Sequence, residues 1–225
     1  MLLPRAHDTI VARATPPGRG GIAVIRISGT RAREVAIGLA GSLPEPRRAE
    51  LRRFRDTAGE LIDSGLMLFF PGPHSYTGED VLEFHAHGGP AVCEQLIDSA
   101  VALGCRLARP GEFTERAFLN DKMDLAQAEA VADLIEASSA TAARAAQRSL
   151  RGDFSAAVER LIELVAQLRT YVEASIDFPD EDIDFLATDE LRQRLARVQG
   201  ALGELEETAR QGCLIKDGLR IVILG

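Results

Sequence analysis

The sequence contains no tryptophan and only three cysteines, and aromatic residues make up 5% of its 225 positions. Cys93, Cys105 and Cys213 are scattered and form no Cys-x-x-Cys pair, which indicates a reducing, cytoplasmic location and argues against a disulfide framework or a zinc site. Long apolar runs are also lacking, since none approaches the roughly 20 residues of a transmembrane helix. Proline and charged residues interrupt the first twelve positions, so we expect no secretory signal there and no membrane partner.

The sequence has no surplus of positive charge. Its 26 Lys and Arg residues against 34 Asp and Glu residues give a net charge of −8, so the overall field does not attract nucleic acid. The one basic concentration consists of Arg47, Arg48, Arg52, Arg53 and Arg55. We interpret it as a solvated strand edge, with a phosphate-contact patch as the alternative. Any RNA contact is therefore expected to be local or to come through a partner.

The first 120 or so residues predict strands mixed with helices. Their β-branched and apolar runs predict strands at 9–14, 22–27, 61–70 and 81–86, and helices are predicted at 31–40 and 91–103. This order predicts an α+β domain with a mixed or antiparallel sheet and helices on one face.

From Asp124 onward the apolar residues recur at helical spacing. Asp124 is a candidate helix N-cap, and Gln127 stands at the reciprocal position of a capping box. A second helix is predicted from Asp153 and a third from Thr188, each with an apolar stripe at steps of three and four. The pattern predicts a bundle of three helices, which a fourth helix from beyond residue 225 would also fit.

Two segments of the second half carry further signals. Residues 177–185 are densely acidic; a solvated loop is preferred over a cation site because the spacing is not that of an EF-hand. Residues 219–225 predict a buried strand ending at Gly225, which is how a phosphate-binding loop begins. We therefore expect residues 1–120, 121–217 and 218–225 to be separate parts.

The sharpest local feature is the segment from Glu83 to His87. On a strand, Glu83, His85 and His87 share one face, and the apolar residues between them share the other. A polar stripe of this kind is typical of a pocket wall. The same three side chains could also ligate a metal, an interpretation that we consider weaker.

Three other positions are candidates for ligand binding. Arg26 interrupts an apolar strand, either as an edge-strand charge or as a cation held on rigid scaffold for an anionic ligand. Lys122 lies where the two halves of the sequence meet, a common place for ligand clefts. Arg19 belongs to a glycine-rich loop, Gly18–Gly21, which precedes a strand and so does not fit a dinucleotide fingerprint.

Several long motifs carry a family resemblance that covers essentially the whole sequence. They are Asp8-Thr9-Ile10-Val11-Ala12, Thr15 to Gly21, Arg26-Ile27-Ser28-Gly29, Pro71 to Asp80, His87-Gly88-Gly89-Pro90, Ala108 to Asn120, Asp124 to Ala130 and Ile176-Asp177-Phe178-Pro179. In this order they resemble the MnmE (TrmE) family of tRNA-modification GTPases.

The resemblance implies an architecture. The first half should adopt the tetrahydrofolate-binding fold shared with glycine-cleavage aminomethyltransferases and should form a homodimer. The helical domain should be completed by the C-terminal part of a longer protein, and a GTPase domain should begin at Gly225. The 225 residues contain no Gly-Lys-Ser/Thr, Asn-Lys-x-Asp or Cys-x-Gly-Lys motif, so we expect them not to hydrolyse GTP alone.

The resemblance also implies a function. With an FAD-dependent partner of the MnmG (GidA) family, such proteins add an aminomethyl or carboxymethylaminomethyl group to C5 of the wobble uridine of tRNA. The one-carbon unit would come from 5-formyl- or 5,10-methylene-tetrahydrofolate, and GTP hydrolysis would require Mg²⁺ and K⁺. The tRNA would be contacted mainly through the complex.

By resemblance, the folate contacts fall on Arg26, Glu83 and Lys122, with Arg19 and His87 as candidates for the pocket lining. Gly225 would start the phosphate loop; no metal ligand and no catalytic residue are expected within these 225 positions. The alternatives are a stand-alone folate-dependent one-carbon transferase and a non-catalytic docking module.

Overall fold

The computed structural model of the protein describes residues 8–177 and 189–217, apart from the side chains of residues 177 and 214–217. The chain divides into two compact units, Met1–Met123 and Asp124–Gly225. Most of the predicted acidic loop, the predicted N-cap Thr188 and the predicted strand ending at Gly225 lie outside the described residues.

Over its described residues, 8–123, the first unit is built on a six-stranded sheet. Its strands are β1 (Ile10–Arg13), β2 (Gly20–Ser28), β3 (Glu50–Arg55), β4 (Leu61–Phe70), β5 (Val81–Gly88) and β6 (Arg106–Leu107). They lie in the order β3-β4-β5-β2-β1-β6. The β1–β6 pair is parallel and the other pairs are antiparallel, which confirms the prediction of an α+β fold with a mixed sheet.

Two helices, α1 (Ala32–Ala40) and α2 (Pro90–Ala102), cover one face of this sheet. Their apolar side chains share one core with the inward-facing residues of the strands, among them Ile25, Met67 and Phe84. Burying these aliphatic and aromatic side chains is the main favourable contribution to folding. The opposite face of the sheet is not covered by these helices and carries polar side chains together with exposed apolar ones such as Leu51 and Leu66.

The arginine-rich segment contributes a strand to this unit. Arg52, Arg53 and Arg55 lie on β3, whose place at the end of the sheet confirms the interpretation as a strand edge, whereas Arg47 and Arg48 precede the strand. Strand β6 and helix α3 (Glu112–Leu119) were not predicted, because two and eight residues are too few to show a clear period.

The second unit is helical, as predicted, but the described part contains four helices where three were predicted. They are α4 (Leu125–Glu136), α5 (Ala140–Leu150), α6 (Asp153–Asp177) and α7 (Asp189–Asp217). The capping box of α4 is confirmed: Gln127 N donates to Asp124 Oδ1 at 2.8 Å, and Asp124 N donates to Gln127 Oε1 at 2.9 Å.

The extra boundary in the second unit falls between α4 and α5. Ala137 leaves helical geometry with ψ at 117°, and Ser139 then caps α5 by accepting a hydrogen bond from Ala142 N at 3.1 Å. A serine hydroxyl competes well for the free amides at a helix start. The continuous alanine-rich sequence hides this break. Within the described residues, no helix combines the length and the apolar character needed to cross a bilayer.

Candidate functional site

Strand β5 carries the polar stripe predicted from the sequence. Leu82, Phe84 and Ala86 face the core and are at most 3% exposed, whereas the side chains that alternate with them lie on the open face. This alternation arises because β5 lies inside the sheet, between β4 and β2, with helices covering only one side. Glu83, His85 and His87 therefore share a face, as predicted.

Arg26 and Glu83 meet on this open face. They are directly opposed in the register of β2 and β5, and Arg26 Nε donates to Glu83 Oε1 at 2.8 Å. The two side chains are 28% and 15% exposed, so the pair is partly desolvated but still reachable. The alternative interpretation of Arg26 as an edge-strand charge is wrong, because β2 lies between β5 and β1.

Two aromatic rings flank the Arg26 guanidinium. Its central carbon lies 5.4 Å from the ring centre of Tyr76 and 5.8 Å from that of Phe113, within the range of a cation–π interaction. The Tyr76 hydroxyl and Thr114 Oγ1 are 2.8 Å apart, which ties the loop before β5 to helix α3. Neither ring was predicted as part of the site; their only signal was that both lie in the resemblance motifs.

The two histidines of the stripe have separate partners. His85 Nε2 lies 3.2 Å from Glu83 Oε2. His87 Nδ1 lies 2.8 Å from Asp63 Oδ1, and the His87 amide donates to Asp63 Oδ2 at 2.7 Å. Burial alone would raise the pKa of Asp63, but these hydrogen bonds lower it below its usual value. In the described residues, no three metal-ligating side chains converge on one point.

Lys122 and Arg19, the other candidate residues, lie near opposite ends of the polar stripe on β5. Lys122 is exposed and follows α3, and its side chain runs past Gly78 in the loop that carries Tyr76. Arg19 is exposed in the loop before β2, next to the pairing of Gly20 with Gly88, and therefore close to the end of β5 where His87 lies. Gly225 lies outside the described residues.

A buried ion network adjoins the site. Arg116 Nη2 lies 2.5 Å from Asp8 Oδ1 and 3.3 Å from Glu112 Oε1, and Arg116 Nη1 lies 3.0 Å from Glu79 Oε2. Glu112, whose side chain is fully buried, also binds Arg106 at 2.6 Å. The hydrogen bond from Arg106 outweighs burial and lowers the pKa of Glu112 to about 2. Sequence patterns gave no sign of this network.

The arrangement is suited to a flat, polar ligand that also carries negative charge. Glu83 offers a carboxylate acceptor, Arg26 and Lys122 are cationic, and two rings provide planar surfaces. A mixed sheet with helices on one face, followed by a separate helical unit, defines the class of α+β domains joined to a helical domain.

Comparison with known families agrees with this class. Residues 9–122 match the family described as GTP-binding protein TrmE N-terminus. Residues 125–220 match the MnmE helical domain. The chain therefore belongs to the MnmE (TrmE) family.

Its relatives are similar over nearly all of its length. It is 60% identical over 220 residues to the tRNA modification GTPase MnmE of Stutzerimonas stutzeri (strain A1501), a match that covers 98% of this chain and 48% of that protein. It is 56% identical over 219 residues to the protein of the same name from Erwinia tasmaniensis, covering 97% and 48%. The chain thus spans about half the length of the curated relatives it matches.

Proposed function

We propose that this chain is the folate-binding and dimerising part of a tRNA-modification GTPase. In this proposal, the open face of the sheet binds 5-formyl- or 5,10-methylene-tetrahydrofolate through Arg26, Glu83 and Lys122. The single observation that carries it is the partly desolvated pair of Arg26 and Glu83, 2.8 Å apart on neighbouring interior strands.

The residues present fit the chemistry of a folate. A pterin presents adjacent N–H donors on its aminopyrimidine edge, and the Glu83 carboxylate can accept two of them. The tail of a folate carries carboxylates, which the cationic side chains of Arg26 and Lys122 can neutralise. Because Glu83 is bonded to Arg26 and His85 in this structure, ligand binding would exchange one of these contacts for the pterin edge.

The wider function belongs to the same proposal. With an FAD-dependent MnmG-type partner, the whole protein would modify C5 of the wobble uridine of tRNA in the cytoplasm and hydrolyse GTP with Mg²⁺ and K⁺. None of the described residues is assigned to GTP or to either ion. The names of the relatives support the tRNA-modifying and GTPase parts of this proposal.

Exposed apolar side chains support the expectation of further protein contacts. Ile22 and Leu51 on the sheet are 68% and 71% exposed, and Ile135 and Ile162 in the helical unit are 79% and 61% exposed. Apolar surface of this kind is commonly covered by a partner. A second copy against the sheet and additional helices against the helical unit would cover it.

The test is a calorimetric titration of the chain with 5-formyltetrahydrofolate, together with its mass from light scattering. We expect a dimer that binds in the micromolar range, and loss of binding in Glu83→Ala. The matched control is Glu34→Ala, which removes from α1 an exposed carboxylate that pairs with Arg31.

Three results would count against the proposal. Unchanged affinity in Glu83→Ala would remove that residue from the site. A folded dimer without affinity for folate would favour the docking module. Folate-dependent group transfer by this chain alone would favour a stand-alone transferase.

A further inference from the structure

Helix α3 ends in a hydrogen-bonded turn that includes Lys122. The Lys122 amide donates to Ala117 O at 2.8 Å, and the Asp121 amide donates to Phe118 O at 3.1 Å. This pair of hydrogen bonds is a Schellman motif, which needs a left-handed residue just after the helix cap. That residue is usually glycine, but here it is Asp121 with φ at 55°. The chain therefore accepts a disfavoured conformation immediately before Lys122.

The turn around Gly78 packs directly against this segment. A Cβ atom added at Gly78 would lie 3.0 Å from Asn120 Cβ and 3.4 Å from both Lys122 Cγ and Cδ. Gly78 also has φ at 83°, a conformation that glycine adopts without strain. The aliphatic part of Lys122 thus lies along the backbone of this turn, which leaves its ammonium group at the far end.

Asn120 connects the end of α3 to the turn around Gly78 through a hydrogen bond. Its side-chain Nδ2 donates to Thr77 O at 2.7 Å, although Asn120 itself is exposed. Thr77 is fully buried, and its hydroxyl lies 2.7 Å from Ser28 Oγ on β2. Ser28 is two residues from Arg26 on the same strand, so a short chain of contacts connects Asn120 to the strand of the Arg26–Glu83 pair.

The same turn also contacts Arg26 directly, through the ring of Tyr76. Tyr76, which precedes Thr77, places its ring 5.4 Å from the Arg26 guanidinium carbon. Glu79, which follows Gly78, is held by Ser28 Oγ at 2.6 Å and by the buried Arg116 at 3.0 Å. The turn from Tyr76 to Glu79 is therefore fixed to the sheet on both sides of Gly78, so side chains that pack on it have a defined position relative to Arg26.

We propose that Asn120 is a positioning residue: its hydrogen bond to Thr77 O holds Lys122 against the Gly78 turn, at a fixed place relative to Arg26 and Glu83. The inference rests on the proposed folate site. It explains how Lys122, although exposed and located on a connecting segment, can occupy a defined position in that site. Lys122 contributes the charge, and Asn120 reduces the conformational freedom that binding would otherwise have to remove.

A double-mutant cycle on folate affinity tests the inference. Lys122→Ala should weaken binding of 5-formyltetrahydrofolate by about tenfold or more, as for a hydrogen bond to a charged group. Asn120→Ala should weaken it by about fivefold, as for one lost neutral hydrogen bond. In the Lys122→Ala background, however, Asn120→Ala should have no further effect, because it acts only through Lys122.

Control variants make the cycle specific. Gln95→Ala removes an exposed amide side chain from α2, on the other side of the sheet, and should leave the affinity unchanged. Asp121→Val disturbs the position of Lys122 by a different route, since a β-branched residue strongly disfavours the left-handed conformation. It should therefore resemble Asn120→Ala. Additive losses in the cycle, or wild-type affinity in Asn120→Ala, would overturn the inference.

A spectroscopic readout separates this inference from the folate proposal itself. The sequence contains only two lysines, Lys122 and Lys216. In a Lys216→Arg chain, reductive methylation with ¹³C-formaldehyde labels a single lysine and keeps its charge. We expect the Lys122 signal to be shifted from that of a free lysine in the parent chain and to move toward it in Asn120→Ala, without any ligand. An identical signal in both chains overturns the positioning role, whether or not folate binds.

Discussion

Arg116 and Glu112 lie one turn apart on α3, with side chains only 6% and 0% exposed. Both side chains are charged and buried, and the several partners of each offset the cost of removing its charge from water. Glu112 accepts hydrogen bonds from Arg106 and from the Arg109 amide, whereas Arg116 spans Asp8 and Glu79. The network thus connects α3 to the segment before β1, to β6 and to the turn that carries Tyr76.

We predict that Glu112→Gln destabilises the first unit by roughly 3 kcal/mol, because the buried Arg116 and the partly exposed Arg106 both lose a fully buried carboxylate partner. The control is Glu115→Gln on the same helix, which breaks an exposed pair with Arg109 and should cost about 1 kcal/mol or less. Equal losses in the two variants would show that the buried network contributes no more than a surface pair.

Urea unfolding of the first unit can be followed by one natural fluorophore. The sequence contains no tryptophan and two tyrosines, Tyr76 in the first unit and Tyr171 in the second. In a Tyr171→Phe background, tyrosine emission therefore reports on the first unit alone. The Tyr171→Phe background can therefore be used for every urea unfolding measurement on variants of the first unit.

The same network predicts an acid-sensitive fold. The pKa of Glu112 is about 2 in the folded chain, below its ordinary value of 4.5, and the pKa of Asp8 is also lowered. For groups with depressed pKa values, the stabilisation is complete above the ordinary pKa and is lost as the pH falls toward the folded value. Stability should therefore fall between about pH 4.5 and 2, and Glu112→Gln should flatten this dependence. An equally steep loss in the variant would assign it to other carboxylates.

The parts of the fold that could be predicted from sequence are those specified locally. The alternation in β5 follows from its own residues and one covered face, and the α4 capping box needs only Asp124 and Gln127, three positions apart. Helix α3 and the ion network could not be predicted, because Arg116 finds its partner Asp8 at a sequence separation of 108. No periodic pattern encodes such a pairing.

The candidate site divides in the same way. Glu83 and His87 were predicted on one face by strand geometry, and Arg26 by its contrast with apolar neighbours. Tyr76 and Phe113 reach Arg26 from a loop and a short helix, and only the folded chain brings them there.

Gly65 should tolerate no side chain. It lies on β4, where an added Cβ would be 2.0 Å from His85 O on the neighbouring strand, a distance that forces the two strands apart. We predict that Gly65→Ala destabilises the first unit by about 3 kcal/mol, the upper range for overpacking. Gly21→Ala on β2 is the control, because its Cβ would meet nothing within 4 Å. Similar urea midpoints for both variants would contradict the expectation.

The three thiols should react at very different rates. Cys213 is exposed, whereas Cys93 and Cys105 are buried, and burial raises the pKa of Cys105 to about 11. Because the thiolate is the reactive form, a disulfide reagent at neutral pH should modify one thiol quickly and the other two only on unfolding. Cys213→Ser should abolish the fast phase. A fast phase that persists in this variant would mean that the first unit opens readily.

Exchanging the charges of Arg26 and Glu83 should separate the stability of the sheet from ligand binding. Arg26→Glu alone places two carboxylates opposite each other on β2 and β5 and should destabilise the first unit by about 1 kcal/mol. Adding Glu83→Arg restores an opposite-charge pair at the same register position, so stability should recover. If the proposed folate site is right, affinity for 5-formyltetrahydrofolate should not recover. The carboxylate proposed to accept the pterin edge would then lie on β2 instead of β5, and the flanking rings would face a carboxylate instead of a guanidinium. If the exchanged pair binds folate as the parent does, then net charge alone, and not the orientation of this pair, determines binding.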